Sequence, residues 1–136
     1  MTTKVIICDD SNMARKQMSR SLPDDWPTEI TLAKNGAEAI EVIKKGGQEL
    51  MFLDLTMPVM DGYQTLEAIR KDDLPIMVIV VSGDIQPEAR DRVKKLGAIE
   101  FIKKPVDKDK IKSVLIEYGM IEPPSSPEEN AGGDNE

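Results

Sequence analysis

LMFLDLTMPVMDG, residues 50–62, opens with four apolar residues and then breaks at a carboxylate, Asp54, with two turn signals, Met57-Pro58 and Asp61-Gly62, close behind. A run apolar at every position belongs to a strand covered on both faces, because a half-exposed strand alternates. Val5-Ile6-Ile7-Cys8 and Ile76-Met77-Val78-Ile79-Val80-Val81 read the same way. Glu29-Ile30-Thr31-Leu32-Ala33 alternates, and Ile99-Glu100-Phe101-Ile102 is short and charged, so these two are expected at sheet edges.

Segments with helical spacing lie between these strands. Ser11 can cap a helix that turns Ala14, Met18 and Leu22 inward, and Asn35-Gly36 opens one that carries Ala39, Ile40 and Ile43. Asp61 caps a third with Tyr63, Leu66 and Ile69. The fourth follows Pro87 with Ala89, Val93 and Leu96, and the fifth follows Asp107 with Ile111, Val114 and Leu115. Five βα units in succession predict an α/β fold, a parallel sheet with right-handed crossovers and helices on both faces. Ligands of such sheets bind beyond the carboxyl ends of the strands.

Composition narrows the chemistry. The 136 residues hold 18 Lys+Arg and 25 Asp+Glu, a net charge of -7, but five of the acids lie after residue 119, where there is no base. Neither part has the basic surplus that nucleic acid phosphates require, so no nucleic acid partner is expected. From Glu122 onward, EPPSSPEENAGGDNE contains no large apolar residue, which predicts a folded domain over 1–119 and a disordered acidic tail over 120–136. No charged leader precedes an apolar signal core, and the longest apolar run is too short to cross a bilayer, so a cytoplasmic location without membrane attachment is expected. The lone cysteine, Cys8, sits in a strand and reads as a buried apolar residue.

The chain has no histidine, which excludes Ser-His and Cys-His nucleophiles and the HExxH metal site. Where a nucleotide-binding fold would carry a Gly-rich loop after the first strand, Asp9-Asp10-Ser11-Asn12 stands instead. The first strand thus runs out into Asp9-Asp10, the third into Asp54, the fourth into Ser82-Gly83-Asp84 and the fifth into Lys103-Lys104-Pro105. Three carboxylates meeting at one rim repel each other unless a cation bridges them, and an all-oxygen donor set suits Mg2+.

Jointly, ICDDS, LDLTMPVMDG, VVSG and FIKKP at these four strand ends resemble the signatures of response-regulator receiver domains of the chemotaxis-regulator type, over about residues 3 to 119. The resemblance implies a flavodoxin-like receiver fold with strand order 2-1-3-4-5. It implies that Asp54 accepts a phosphoryl group from a histidine kinase or phosphotransfer protein in a two-component phosphorelay. Asp10 matches the acid that holds Mg2+ directly, Asp9 its neighbour acting through water, and the backbone carbonyl of Thr56 completes the ligands. Ser82 matches the hydroxyl that bonds the phosphoryl oxygens, and Lys104 the lysine that pairs with them, before a peptide bond to Pro105 that is cis in the family. Thr56 and Asp84 match positions that tune the lifetime of the acyl phosphate. Phe101 stands where many members have a switch tyrosine, and phosphorylation is expected to draw Ser82 in and let Phe101 turn inward. Output is expected through a protein bound to helix four, strand five and helix five.

On this reading the chain is a stand-alone signalling module, not an enzyme beyond its own phosphorylation and dephosphorylation. The alternative is a Mg2+-dependent aspartyl-phosphate phosphohydrolase, against which Thr56 occupies the position where those enzymes place a general acid. A second rival, a receiver that binds partners without phosphorylation, is opposed by the complete set of acids, hydroxyl and lysine. Asp61 is read as a helix cap only, and the methionines at 13, 18, 51, 57, 60 and 77 as core and loop filler.

Overall fold

The computed structural model describes residues 2–83 and 86–123. Ten elements alternate along the chain: β1 (Thr3–Cys8), α1 (Asn12–Arg20), β2 (Thr28–Ala33), α2 (Gly36–Lys44), β3 (Leu50–Leu53), α3 (Gly62–Lys71), β4 (Met77–Ser82), α4 (Pro87–Lys95), β5 (Glu100–Lys103) and α5 (Lys108–Glu117). All neighbouring strands pair in parallel, and the order is β2-β1-β3-β4-β5. The alternating β2 and the short β5 are the edges, and the continuously apolar β1, β3 and β4 fill the centre.

Strand parity divides the core in two. Ile6, Cys8, Met51, Leu53, Val78, Val80 and Phe101 pack with apolar residues of α2, α3 and α4. Val5, Ile7, Leu50, Phe52, Ile79, Val81 and Ile102 pack with Met18 of α1 and Ile111, Val114 and Leu115 of α5. A side chain's layer is therefore set by whether its position is odd or even along its strand. This parity also governs the residues just past the strand ends.

The helix starts follow the capping residues. Ser11, Asn35 and Asp61 each accept a backbone N–H three residues on, and Asp61 forms a full capping box with Gln64. Asp61 thus has the structural role the sequence assigns it. Gly62 follows because the loop after β3 folds back on itself: its N–H donates to the Leu55 carbonyl at 3.0 Å, and a Cβ there would collide with the Asp54 carbonyl oxygen. Met18, Met51 and Met57 are buried as expected, whereas Met13 is 71% exposed, so the filler reading fails at that position. Met13 lies in the first turn of α1, one residue round from the inward stripe, where nothing covers it.

Candidate functional site

β1 and β3 end in step, with Cys8 opposite Leu53. The next residue on each is an aspartate, and the Asp54 N–H donates to the Cys8 carbonyl at 2.9 Å while the Asp9 N–H donates to the Ala33 carbonyl at 3.0 Å. Asp9 follows the parity of Val5 and Ile7, Asp54 that of Leu50 and Phe52, and Lys104 that of Ile102. The same alternation that fills the core beneath α1 and α5 thus delivers two acids and a lysine to one spot. Together with Ile7, Met18, Phe52, Val81 and Val106 they line a cavity of about 310 Å³.

The carboxylates of Asp9, Asp10 and Asp54 offer oxygens that all lie within 4.8 Å of one another, Asp9 and Asp54 being buried and Asp10 exposed. Lys104 Nζ donates to Asp9 Oδ2 at 2.8 Å and to Asp54 Oδ1 at 3.3 Å. The Lys104 N–H donates to the Ser82 carbonyl at 2.8 Å, tying the lysine loop to the end of β4, and the Lys104–Pro105 peptide is cis. Ser82 is 5% exposed. Thr56 is exposed in the loop after β3, and Asp84 lies outside the described residues.

Electrostatics follow from burial. Loss of solvent raises the Asp54 pKa above its usual 3.8, the Asp9 charge raises it further, and Lys104 opposes both. Burial alone would depress Lys104, but its hydrogen bond to Asp9 and the charges of Asp54 and Asp9 outweigh that and hold it above 10.5. Cys8, the last residue of β1, is pushed up to about 12 by burial first and by the charges of Asp9 and Asp54 next, which disfavours the reactive thiolate. Three carboxylates against one ammonium leave an excess of negative charge in a partly dry pocket. Hard oxygen donors, no histidine and this charge excess fit a hydrated divalent cation such as Mg2+, which Asp9, Asp10 and Asp54 would hold.

Phe101 sits on β5 opposite Val80, on the α4 side of the sheet like Ser82's neighbour Val80, and is 2% exposed. The Arg90 guanidinium of α4 lies over its ring, 4.7 Å from the centroid. The inward orientation expected of the phosphorylated state is thus already present in the unmodified chain. Sequence reasoning missed Arg15, which is only 7% exposed and donates to the Asp9 carbonyl at 2.6 Å. Its signal was present, since residues 15, 18 and 22 share one helical stripe, but a charged residue on that stripe reads as surface.

Among the described residues no helix is long and apolar enough to cross a membrane. The sequence profile of the response regulator receiver domain matches residues 5–116. Curated relatives include protein-glutamate methylesterase/protein-glutamine glutaminases. That of Halalkalibacterium halodurans is 35% identical over 122 residues, covering 84% of this chain and 35% of the relative. That of Lawsonia intracellularis is 37% identical over 105 residues, covering 75% of this chain and 29% of the relative. The chain thus spans about a third of the length of these relatives. Solved structures agree: a chain of the Borrelia burgdorferi CheX-CheY-BeF3-Mg2+ complex aligns with a TM-score of 0.79 at 29% identity, covering 86% of this chain and 89% of that one. The Vibrio cholerae chemotaxis protein CheY4 aligns at 0.77 with 25% identity, covering 86% and 98%. With the parallel sheet, the acid cluster and the lysine at its carboxyl rim, this match establishes that the chain belongs to the response regulator receiver domain family of two-component signalling.

Proposed function

We propose that Asp54 is the phosphoacceptor of a Mg2+-dependent signalling module. The observation that carries this reading is the convergence of Asp9, Asp10 and Lys104 on Asp54 from positions as far as 95 residues apart. A carboxylate oxygen of Asp54 attacks the phosphorus of a phosphohistidine on a kinase or phosphotransfer protein. The O–P bond forms as the N–P bond breaks, and the neutral imidazole is released to the donor. Asp54 is suited to this because Lys104 and a backbone hydrogen bond from Leu55 favour its charged form against the effect of burial, and its N–H bond to the Cys8 carbonyl fixes it at the rim. When bound, Mg2+ supplies positive charge against the phosphoryl oxygens. Lys104 supplies a second positive charge, exchanging a carboxylate partner for a phosphoryl oxygen. The Ser82 hydroxyl takes a further phosphoryl oxygen, and water attack on phosphorus later returns the carboxylate and inorganic phosphate.

The output follows from where Ser82 and Phe101 lie. Movement of Ser82 toward the phosphoryl group repacks the α4 side of β4 and β5, and the surface of α4, β5 and α5 then binds a protein target, in a chemotaxis-like pathway. Thr56 and Asp84 match family positions that tune the lifetime of the acyl phosphate, and exchanging either should change the dephosphorylation rate. Incubation with acetyl phosphate and Mg2+, followed by intact mass spectrometry, tests the chemistry: one phosphoryl group per chain, absent in Asp54→Asn, is expected. Unmodified wild-type protein would refute it, and continuous multiple turnover of the donor would favour a phosphohydrolase.

A further inference from the structure

Arg15 is the fourth residue of α1, close to the positive end of the helix macrodipole, where a cation is disfavoured. It is also buried, at 7% exposure, and among the described residues no carboxylate forms an ion pair with it. Neither helix stability nor a salt bridge accounts for a guanidinium in that place. Its two hydrogen bonds are to the Asp9 carbonyl at 2.6 Å and to Asn12 Oδ1 at 3.3 Å. The first is short and charge-assisted. It also completes the fastening of Asp9, whose N–H is bound to Ala33, whose Oδ1 accepts the Ser11 N–H at 2.9 Å, and whose Oδ2 accepts Lys104.

The carbonyl that Arg15 grips belongs to the peptide plane joining Asp9 to Asp10. Fixing that plane fixes where the Asp10 Cα sits and so the point from which its side chain reaches the cluster, and Asp10 is the exposed member of the cluster. We propose that Arg15 is a positioning residue for the cation site: it orients Asp10 through the Asp9–Asp10 peptide. The proposal rests on the reading of the cluster as a Mg2+ site. A planar, forked donor suits this task, because its two terminal nitrogens meet Asp9 and Asn12 at a fixed angle, whereas a lysine offers a point charge on a flexible stem.

The test is Mg2+ titration of wild type, Arg15→Lys and Arg15→Gln, with melting temperatures recorded without metal. Loss of an outer partner of a metal ligand weakens affinity about tenfold or more, so Arg15→Lys, which keeps the charge, should bind Mg2+ about tenfold more weakly. Equal affinity in Arg15→Lys and wild type would overturn the positioning role, as would tighter binding by Arg15→Gln with Arg15→Lys unchanged, which would mean that only charge matters. Wild-type protein that bound no Mg2+ would instead remove the underlying metal reading. Should both variants fail to fold, the guanidinium 15N signals of wild-type Arg15 decide: they should shift on Mg2+ addition, and unchanged signals would overturn the proposal.

Discussion

Lys104 stands nearer to Asp9 than to Asp54, at 2.8 Å against 3.3 Å, so the unmodified site keeps its ammonium on the acid that is not the proposed acceptor. The arrangement leaves one Asp54 oxygen less committed while still neutralising part of the cluster. A lysine shared between two carboxylates can follow a phosphoryl group on Asp54 without giving up Asp9, so the switch between partners requires little movement. With its side chain 31% exposed, Lys104 is also reachable by a phosphoryl donor from solvent.

Replacing Lys104 by alanine should therefore slow phosphorylation more than it weakens folding. Removing one preorganised donor from a developing anion costs roughly two to three orders of magnitude in rate, and phosphorylation of Lys104→Ala by acetyl phosphate should fall by about that factor. Stopped-flow kinetics would check this. A variant within threefold of wild type would mean that the ammonium acts only on the resting acids.

The acid cluster should penalise folding at neutral pH when metal is absent. The folded-state pKa of Asp54 is raised, by burial first and by Asp9 second, so the folded chain binds its proton more tightly than the unfolded chain does. Its contribution is favourable below the unfolded value near 3.8 and is lost as pH rises through the higher folded value. Asp54→Asn removes that titration and should stabilise the metal-free protein by about 1 kcal/mol at pH 7, the order of one relieved carboxylate contact after screening. Urea denaturation across pH 3 to 8 should show the gain appearing only as pH rises. Saturating Mg2+ should stabilise wild type and shrink the difference. A variant less stable than wild type at pH 7 without metal would contradict the assignment of net repulsion.

Much of this was legible in the sequence. Apolar runs without alternation marked the central strands, and the charges that ended those runs marked the rim, because the period of two that buries Phe52 and Ile102 also orients Asp54 and Lys104. Arg15 was only half legible: its place on the helical stripe with Met18 and Leu22 could be read, but the carbonyl on which its burial depends is made available by the turn after β1, a tertiary fact. The conformation of Val59 was not legible. The turn signals around it predict a loop but not that a β-branched residue adopts φ 67° while 81% exposed.

That conformation is a liability with a measurable size. The left-handed region costs a non-glycine residue roughly 1–2 kcal/mol, and asparagine tolerates it far better than valine. Val59→Asn should raise stability by about 1 kcal/mol, since the exposed side chain gives up little packing. Gly62, three residues on, should respond in the opposite way. Gly62→Ala forces a methyl group into the Asp54 carbonyl and Leu55, and overpacking of this kind costs about 1–3 kcal/mol. Because the collision is with the acceptor's own backbone, the variant should also phosphorylate more slowly. Thermal melts of both variants settle the signs: a destabilised Val59→Asn or a neutral Gly62→Ala would show that the loop relaxes freely.

The buried Phe101 sets the last expectation. Its ring is already inward in the unmodified chain, covered by Arg90 at 4.7 Å, so the resting equilibrium is biased toward the orientation that phosphorylation is proposed to favour. A cation over an aromatic face at an exposed position contributes about 0.5–1 kcal/mol, enough to change a two-state ratio roughly two- to fivefold. Arg90→Ala should therefore raise the outward population of Phe101 by that factor in the unmodified protein, while beryllofluoride should draw the ring back by moving Ser82. Fluorinated phenylalanine at position 101, followed by 19F NMR, reads both populations directly. If Arg90→Ala and wild type give the same single resonance with and without beryllofluoride, Phe101 is a fixed part of the core and the output surface must be switched by another group on α4.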